Sequence, residues 1–529
     1  MKSVQLYDTT LRDGAQREGI SFSVEDKLKI ASKLDELGIH FIEGGWPGSN
    51  PKDSKFFARA RRIKFKQATL VAFGSTKRHD VKAKDDPNLK ALVDSGVRVV
   101  TIVGKSSRMQ VIDVLEVGLE TNLEMIYESV AYLVGRGLRV FFDAEHFFDG
   151  YRMDPDYSLK TLKAADDAGA ECLVLCDTNG GSLPSQIGEA VRAACRVSRA
   201  SIGIHAHNDS ELAVANSLAA VEAGASQVQG TINGYGERCG NANLCSIIPN
   251  LKLKMGINCI SNANLSRLAE VAHFVAGVAN LTLDRHLPYV GDSAFTHKGG
   301  LHVSGLMKCD TSYHHVDPSL VGNTHRVVVS ELSGKGNIIY KAKELGINLP
   351  PRGEETRRVL DQIKLLESRG FQYEDADASF ELLLRRAQPG YKPPFELVDF
   401  MVVVERHRRL PTSNTHEETL AEATVKVRVG EKVIHTAAEG NGPVNALDAA
   451  LRKALVQFYP SLAAIKLVDY KVRILEEASG TGSQVRVLIE STDGEDTWRT
   501  VGGSSNIIEA SWLALADSLE YWLIRHSSS

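Results

Sequence analysis

Short β-branched runs alternate with longer stretches of helical periodicity through the first half of the chain. Eight such runs stand out: residues 3–10 (SVQLYDTT), 40–46 (HFIEGGW), 68–74 (ATLVAFG), 97–104 (VRVVTIVG), 139–146 (RVFFDAEH), 172–178 (CLVLCDT), 201–208 (SIGIHAHN) and 227–234 (QVQGTING). Between them, apolar residues recur at helical spacing and a glycine follows the last turn, as in 24–38 (VEDKLKIASKLDELG) and 211–224 (ELAVANSLAAVEAG). Eight strand–helix units within roughly 250 residues predict an α/β fold of the (β/α)8 TIM-barrel type. The rival, an open doubly wound sheet, calls for a GxGxxG turn after the first strand, and the sequence has none there.

The pattern changes near residue 280. Residues 288–305 (PYVGDSAFTHKGGLHVSG) are rich in Gly and His and read as a functional loop with short helices. Residues 330–390 are charged and helical, and 389–395 (PGYKPPF) is a linker, because its prolines and glycine disfavour regular structure. Beyond it the pattern repeats. Strand-like runs at 397–405, 419–429 and 432–440 lead into a helix at 443–455. A second set at 465–475, 484–491 and 497–503 leads into a helix at 506–519. Two βββα units suit effector binding or dimerisation. The expected domains are a barrel (1–278), helical linker subdomains contributing to the active site (279–390) and a carboxy-terminal α+β regulatory or dimerisation domain (391–529).

Composition narrows the class. At 529 residues the chain exceeds one hydrophobic core. Sixty-two Lys+Arg against 66 Asp+Glu leave a net charge of -4, so no global basic field invites nucleic acid. No apolar run is long enough to span a bilayer and the amino terminus carries no signal-type core, so a cytoplasmic location without membrane association is expected. Seven cysteines without a CxxC pair fit reduced thiols.

In a barrel the strand tips and the loops after them form the active face. Strand one runs into Arg12 and Asp13, strand two ends on Glu43, strand five on Glu145 and strand six on Thr178. Strand seven carries His205 and His207, and the loop after strand eight carries 236–243 (GERCGNAN), including Asn241. Residues two apart on a strand leave the same face, so both imidazoles point to the barrel axis. Closure brings strand one beside strand eight, so Asp13 can add a carboxylate oxygen and Asn241 an amide oxygen. A mixed N/O set with open positions suits a divalent Lewis acid, and Mg, Mn and Zn all tolerate it. Arg12 suits stabilisation of negative charge on a carbonyl oxygen, and Glu145 acid/base work. Glu43 reads equally as a salt-bridge partner, Glu237 with Arg238 as a loop-ordering pair, and the basic residues from Arg59 to Lys66 as a solvated helix face. His297 sits beside two glycines that permit close approach of a ligand or another chain.

The motifs DTTLRDG at 8–14, HAHND at 205–209 and GYGERCGNANL at 234–244 resemble the DRE-TIM metallolyase superfamily. Within it, the length and the carboxy-terminal duplication, with 439–451 (EGNGPVNALDAAL) and 506–515 (NIIEASWLAL), are similar to the 2-isopropylmalate, homocitrate and citramalate synthases. The resemblance implies a metal held by Asp13, His205, His207 and Asn241, with Arg12 on the oxo-acid carbonyl. It implies Glu145 as the motif acid and Thr178 on the substrate carboxylate. His297, and Tyr313 in SYHHVDP, match a His and Tyr that the linker subdomain carries to the barrel of the other protomer of a homodimer. Where isopropylmalate synthases carry FSPED-like sequence, this chain reads FDAEHFFDGY at 142–151. With 43–53 (EGGWPGSNPKD), this variant resembles the citramalate synthase branch. That implies acetyl-CoA and pyruvate as substrates, (R)-citramalate as product and isoleucine as effector, with His297 favoured as the base and Glu145 or Tyr313 in support. Alternatives are a 2-isopropylmalate synthase taking 2-oxoisovalerate, an acyl-CoA lyase using the same metal site, and an effector-binding protein on a barrel without activity.

Overall fold

The computed structural model describes residues 3–309, 311–329, 335–350, 353–405, 420–475 and 482–526. The chain forms two compact units, Met1–Phe295 with His314–His325, and Thr296–Tyr313 with Arg326–Ser529. In the first, eight parallel strands close a barrel in sequential order. They are β1 (Gln5–Asp8), β2 (Phe41–Gly45), β3 (Thr69–Ser75), β4 (Val99–Lys105), β5 (Arg139–Glu145), β6 (Cys172–Asp177), β7 (Ser201–Ala206) and β8 (Gln227–Gly230). Each coincides with one of the eight predicted runs. Closure pairs Asp8 of β1 with Gly230 of β8.

Local chemistry sets the helix ends. Helix Val24–Leu37 starts in a capping box between Ser23 and Asp26 and stops at Gly38, whose φ of 92° a side chain would resist. Inside the barrel, Tyr7, Phe41, Val71, Val99, Phe141, Cys172, Val174 and Cys176 form a buried apolar plug. Phe41 and Phe141 meet edge to face at 5.0 Å. The outer faces of the strands bury Ile42, Ile102, Phe142, Leu173 and Ile204 in the main core. Strand parity therefore sorts the chain: one face is apolar except for Asp8 and Asp177 at the ends of β1 and β6, and the other turns polar toward the carboxyl ends of the strands.

In the second unit β9 (Thr296–His297) pairs in parallel with β10 (Arg326–Val327). Helices Lys335–Glu344, Glu354–Ser368 and Asp377–Arg386 follow. Two antiparallel three-stranded sheets come next, β11 (Glu396–Glu405), β12 (Leu420–Val429) and β13 (Lys432–Gly440), then β14 (Lys466–Ile474), β15 (Val485–Thr492) and β16 (Thr497–Ser504). Helices Pro443–Leu455 and Ile507–His526 complete the two βββα units. Both sheets break register at the same tripeptide, between Leu397 and Asp399 and between Leu467 and Asp469, so the duplication extends to an irregularity. Arg386, at the end of a linker helix, pairs with Asp517 and Glu520 of the last helix, both at 2.7 Å. Thr419, at the edge of one predicted strand, and residues 330–334, 351 and 352 of the predicted helical stretch lie outside the described residues. Among those described, no helix is long and apolar enough to cross a membrane.

Candidate active site

The turn after β1 delivers two charged side chains to the barrel mouth. Asp8 accepts hydrogen bonds from Thr10 N and Thr10 Oγ1, both at 2.9 Å, and Thr10 Oγ1 accepts from Ile232 N at 2.9 Å. Arg12 and Asp13 therefore stand four and five residues beyond the end of β1, in a turn tied to the segment after β8, rather than on the strand tip itself. Arg12 is gripped on three sides. Its Nε donates to Glu43, its Nη2 lies 3.5 Å from Asp13 Oδ2, and its guanidinium carbon sits 3.7 Å over the Phe73 ring. Glu43 also accepts from the Tyr7 hydroxyl at 2.6 Å, and that hydroxyl is 2.8 Å from Thr101 Oγ1. Of the two readings of Glu43, the structure thus realises the salt bridge.

Asp13, His205 and His207 each place a ligand-type atom within 4.8 Å of the others, and all three are buried. Asp13 Oδ2 and His205 Nε2 are 3.3 Å apart, as are the two Nε2 atoms of His205 and His207. His207 lies one residue past β7, where it bridges Asn241. Burial disfavours the Asp13 charge, yet Arg12, the His205 hydrogen bond and both imidazoles outweigh it and hold its carboxyl well below the usual range. Burial likewise lowers the proton affinity of His205, but Asp13 reverses the sign and raises it. His207 is pushed down to about 4 by burial and by His205.

The residues present fit a divalent cation. Asp13 Oδ1 and Asn241 Oδ1 are buried without a hydrogen-bond partner, a state that costs about 1–3 kcal/mol per atom unless something satisfies it. Asn241 Nδ2 donates to Tyr235 O at 3.4 Å, so its amide oxygen is left to face elsewhere. Gly236, at φ 156°, makes this possible: a Cβ there would lie 2.1 Å from Asn241 Nδ2. Two carboxylate or amide oxygens and two imidazoles form the hard-to-borderline donor set expected for Mg, Mn or Zn.

The other predicted residues surround this cluster unevenly. Glu145 points inward at the end of β5 and pairs with Lys105 of β4 at 2.6 Å. Thr178 Oγ1 accepts from His146 N at 2.8 Å, where His146 takes a left-handed conformation (φ 57°) at the turn after β5. Arg238 is ordered chiefly by Asp209, to which it donates at 2.7 and 3.0 Å, with Glu237 further away at 3.6 Å. His297 and Tyr313 belong to the second unit, where their rings are 6.4 Å apart and His302 stacks on Tyr313 at 4.4 Å. The basic residues near Arg59 include an exposed pair with Glu25, and the seven cysteines are all free.

Sequence reasoning passed over Lys105, Asp143, Gln229, Tyr7 and Phe73. The available signal was strand parity: Asp143 lies two before Glu145, and Gln229 is paired with His205 in the β7–β8 register. Asp143 Oδ1 accepts from Gln229 Nε2 at 3.2 Å, and its carboxyl is pushed up to about 7 by burial and then by Glu43.

Residues 3–275 match the HMGL-like family, 289–370 the homocitrate synthase post-HMGL domain-like family and 374–523 the LeuA allosteric (dimerisation) domain. The (R)-citramalate synthase of Geobacter sulfurreducens is 55% identical over 99% of this chain and 98% of its own length. That of Aquifex aeolicus is 53% identical over the same shares, 99% and 98%. A 2-isopropylmalate synthase of Methanocaldococcus jannaschii is 30% identical, over 98% of this chain and 94% of its own. Among solved structures, the hydroxymethylglutaryl-CoA lyase of Pseudomonas aeruginosa is similar with a TM-score of 0.45 and 20% identity, over 53% of this chain and 95% of that one. The chain belongs to the HMGL-like family of enzymes and, within it, to the group formed by the (R)-citramalate synthases.

Proposed function

We propose that this chain is an (R)-citramalate synthase that condenses acetyl-CoA with pyruvate and hydrolyses the thioester to give (R)-citramalate and CoA. The observation that carries the reading is the convergence of Asp13, His205 and His207 at the mouth of a barrel whose relatives at 46–55% identity carry that name. Asp13, His205, His207 and Asn241 hold a divalent cation, which when bound supplies a Lewis acid for substrate oxygens. Arg12, locked by Glu43 and Phe73, donates to the acceptor carbonyl oxygen and stabilises the negative charge that grows there. The Thr178 hydroxyl, whose oxygen already accepts from His146, is free to donate its proton to the acceptor carboxylate. His297, with Tyr313, takes a methyl proton from acetyl-CoA, and the resulting carbanion forms the new carbon–carbon bond at the ketone. Glu145, held by Lys105, supports proton movement at the same mouth. Water then cleaves the thioester and releases CoA.

The domain assignment remains 1–278 for the barrel, 279–390 for linker subdomains that bring His297 and Tyr313 to a partner protomer's barrel, and 391–529 for regulation by isoleucine. A homodimer is supported by the match to a dimerisation domain and by the edge strands β11 and β14. Val404 and Val468 on those strands are 53% and 57% exposed, apolar surface that a second copy can cover. Free thiols fit a cytoplasmic, reducing compartment.

The test compares pyruvate, 2-oxobutyrate, 2-oxoisovalerate and 2-oxoglutarate by kcat/KM, following CoA release. Pyruvate should exceed 2-oxoisovalerate by roughly 100-fold or more. A preference for 2-oxoisovalerate would transfer the chain to the isopropylmalate reaction, and absence of CoA release with every acceptor would sink the synthase reading.

A further inference from the structure

Behind His205 runs a buried chain of side chains that neither the family motifs nor the proposed reaction assigns. His205 Nδ1 is 2.8 Å from Gln229 Oε1, and Gln229 Nε2 is 3.2 Å from Asp143 Oδ1. All three residues are buried, Gln229 completely. A primary amide has one accepting end and one donating end, so what holds one end decides what the other offers. Asp143 accepts from the Nε2 end and thereby turns the Oε1 end to His205. An amide oxygen can only accept, which holds a proton on His205 Nδ1, so that Nε2, which shares a proton with Asp13 in the metal-free protein, is the nitrogen bared for a cation. The reversed amide would present N–H to Nδ1, put the proton on Nε2 and aim it into the cluster.

His207 makes the contrast plain. Its Nδ1 faces Arg238 Nη2 at 3.3 Å, and a guanidinium only donates. Nothing on that side fixes a proton on Nδ1, so His205 is the histidine of the pair whose tautomer the fold selects for ligation.

We infer that Gln229 and Asp143 are positioning residues that set the tautomer of His205 and so tune the affinity of the barrel mouth for a divalent cation. The inference rests on the reading of Asp13, His205 and His207 as a metal site. Outer residues that orient a ligating histidine typically change metal affinity 10–100-fold when removed. Glu at position 229 can serve in place of Gln. One oxygen accepts from His205 Nδ1–H, and a proton shared with Asp143 bridges the two carboxyls. Met at the same position has similar size and neither accepts nor donates.

The experiment titrates the metal-free full-length protein with Mn(II), by calorimetry and by the loss of the free-ion EPR signal. Gln229→Met should lose roughly 10–100-fold in Mn(II) affinity, while Gln229→Glu should stay within about threefold of the parent. Parent-like Mn(II) binding in Gln229→Met would overturn the inference, as would a loss in Gln229→Glu equal to that in Gln229→Met. Nitrogen-15 NMR of histidine-labelled, metal-free parent protein gives a second reading on the unsubstituted Gln229. The His205 signal, assigned by its loss in His205→Asn, should show a protonated Nδ1 whatever proton Nε2 shares with Asp13, and a bare Nδ1 beside a protonated Nε2 would overturn the inference. His205→Ala with His207→Ala separates the two levels: if that protein still binds Mn(II), the metal reading fails. If it does not, while Gln229→Met binds like the parent, only the positioning role fails.

Discussion

Replacing Glu43 by Gln tests how the barrel holds its arginine. Glu43 is fully buried and accepts from Arg12 Nε on one oxygen and from the Tyr7 hydroxyl on the other. Gln keeps the shape and can still accept from Arg12, with its amide donating to a Tyr7 oxygen whose proton turns to Thr101. The geometry survives and the charge is lost. Breaking a buried ion pair on one side costs about 3–5 kcal/mol. Arg12 keeps Asp13 at 3.5 Å and the face of Phe73, so the lower end, about 3 kcal/mol, applies. One effect runs the other way: burial first, and Glu43 as a smaller contribution, raise the carboxyls of Asp8 and Asp143 to about 7. Below pH 7 both are largely protonated and there is little repulsion to relieve, so calorimetry at pH 6 on metal-free protein isolates the pair. At roughly 2–4 °C per kcal/mol the barrel transition should fall by about 6–12 °C. Thr101→Val removes only the neutral hydrogen bond to the Tyr7 hydroxyl and should cost about 1 kcal/mol, or 2–4 °C. In the metal-loaded enzyme Glu43→Gln should also lower kcat, because the guanidinium loses its fixed position. Melting of Glu43→Gln within about 2 °C of Thr101→Val would refute the view that this charge pair anchors Arg12.

Gly236→Ala places a Cβ against Asn241 Nδ2, so Mn(II) affinity should fall while the melting temperature moves by only a few degrees; unchanged affinity would remove Asn241 from the site. Asp143→Asn should stabilise the metal-free protein increasingly with pH. The folded carboxyl titrates near 7 and the unfolded one near 4, so between those values the folded state binds the extra proton and the parent loses stability as pH rises. The gap should widen from pH 5 to about 7, reach at most about 4 kcal/mol and stay flat above, and a gap that shrinks with pH would contradict the assigned burial. Val468→Lys on the β14 edge should leave the melting of one protomer nearly unchanged and shift the particle mass in light scattering toward a single chain; an undisturbed dimer would exclude that edge. Isoleucine inhibition is better tested by substitutions within the two sheets than by truncation near residue 390. Truncation strips Asp517 and Glu520 from Arg386 and removes Val501 from the core that holds Phe380 and Leu383.

Much of the site was legible because it sits on strands. All eight barrel strands coincide with apolar runs, and the inward direction of His205 and Glu145 follows from alternation. Legibility ended where partners come from distant segments. Lys105 reads as the polar end of a strand until the β4–β5 register sets it against Glu145, and Asp209 reads as a loop residue until Arg238 reaches it across the β8 loop. The expected pairing of Glu237 with Arg238 followed sequence adjacency, whereas the bidentate geometry of a guanidinium favours the carboxylate that lies in its plane.

Periodicity, glycine placement and the three motifs determined the barrel, the duplicated carboxy-terminal unit and the identity of the cluster Asp13, His205 and His207. Those are properties of short segments, and the forces that set them, strand alternation and helix capping, act over a few residues. Only the tertiary structure decided which oxygen faces Arg12, which end of the Gln229 amide faces His205, and that Asn241 keeps a buried oxygen without a hydrogen-bond partner. Each depends on burial and on charges brought together from strands far apart in the chain, and a hydrogen bond or a shifted carboxyl exists only once closure has removed the water between them.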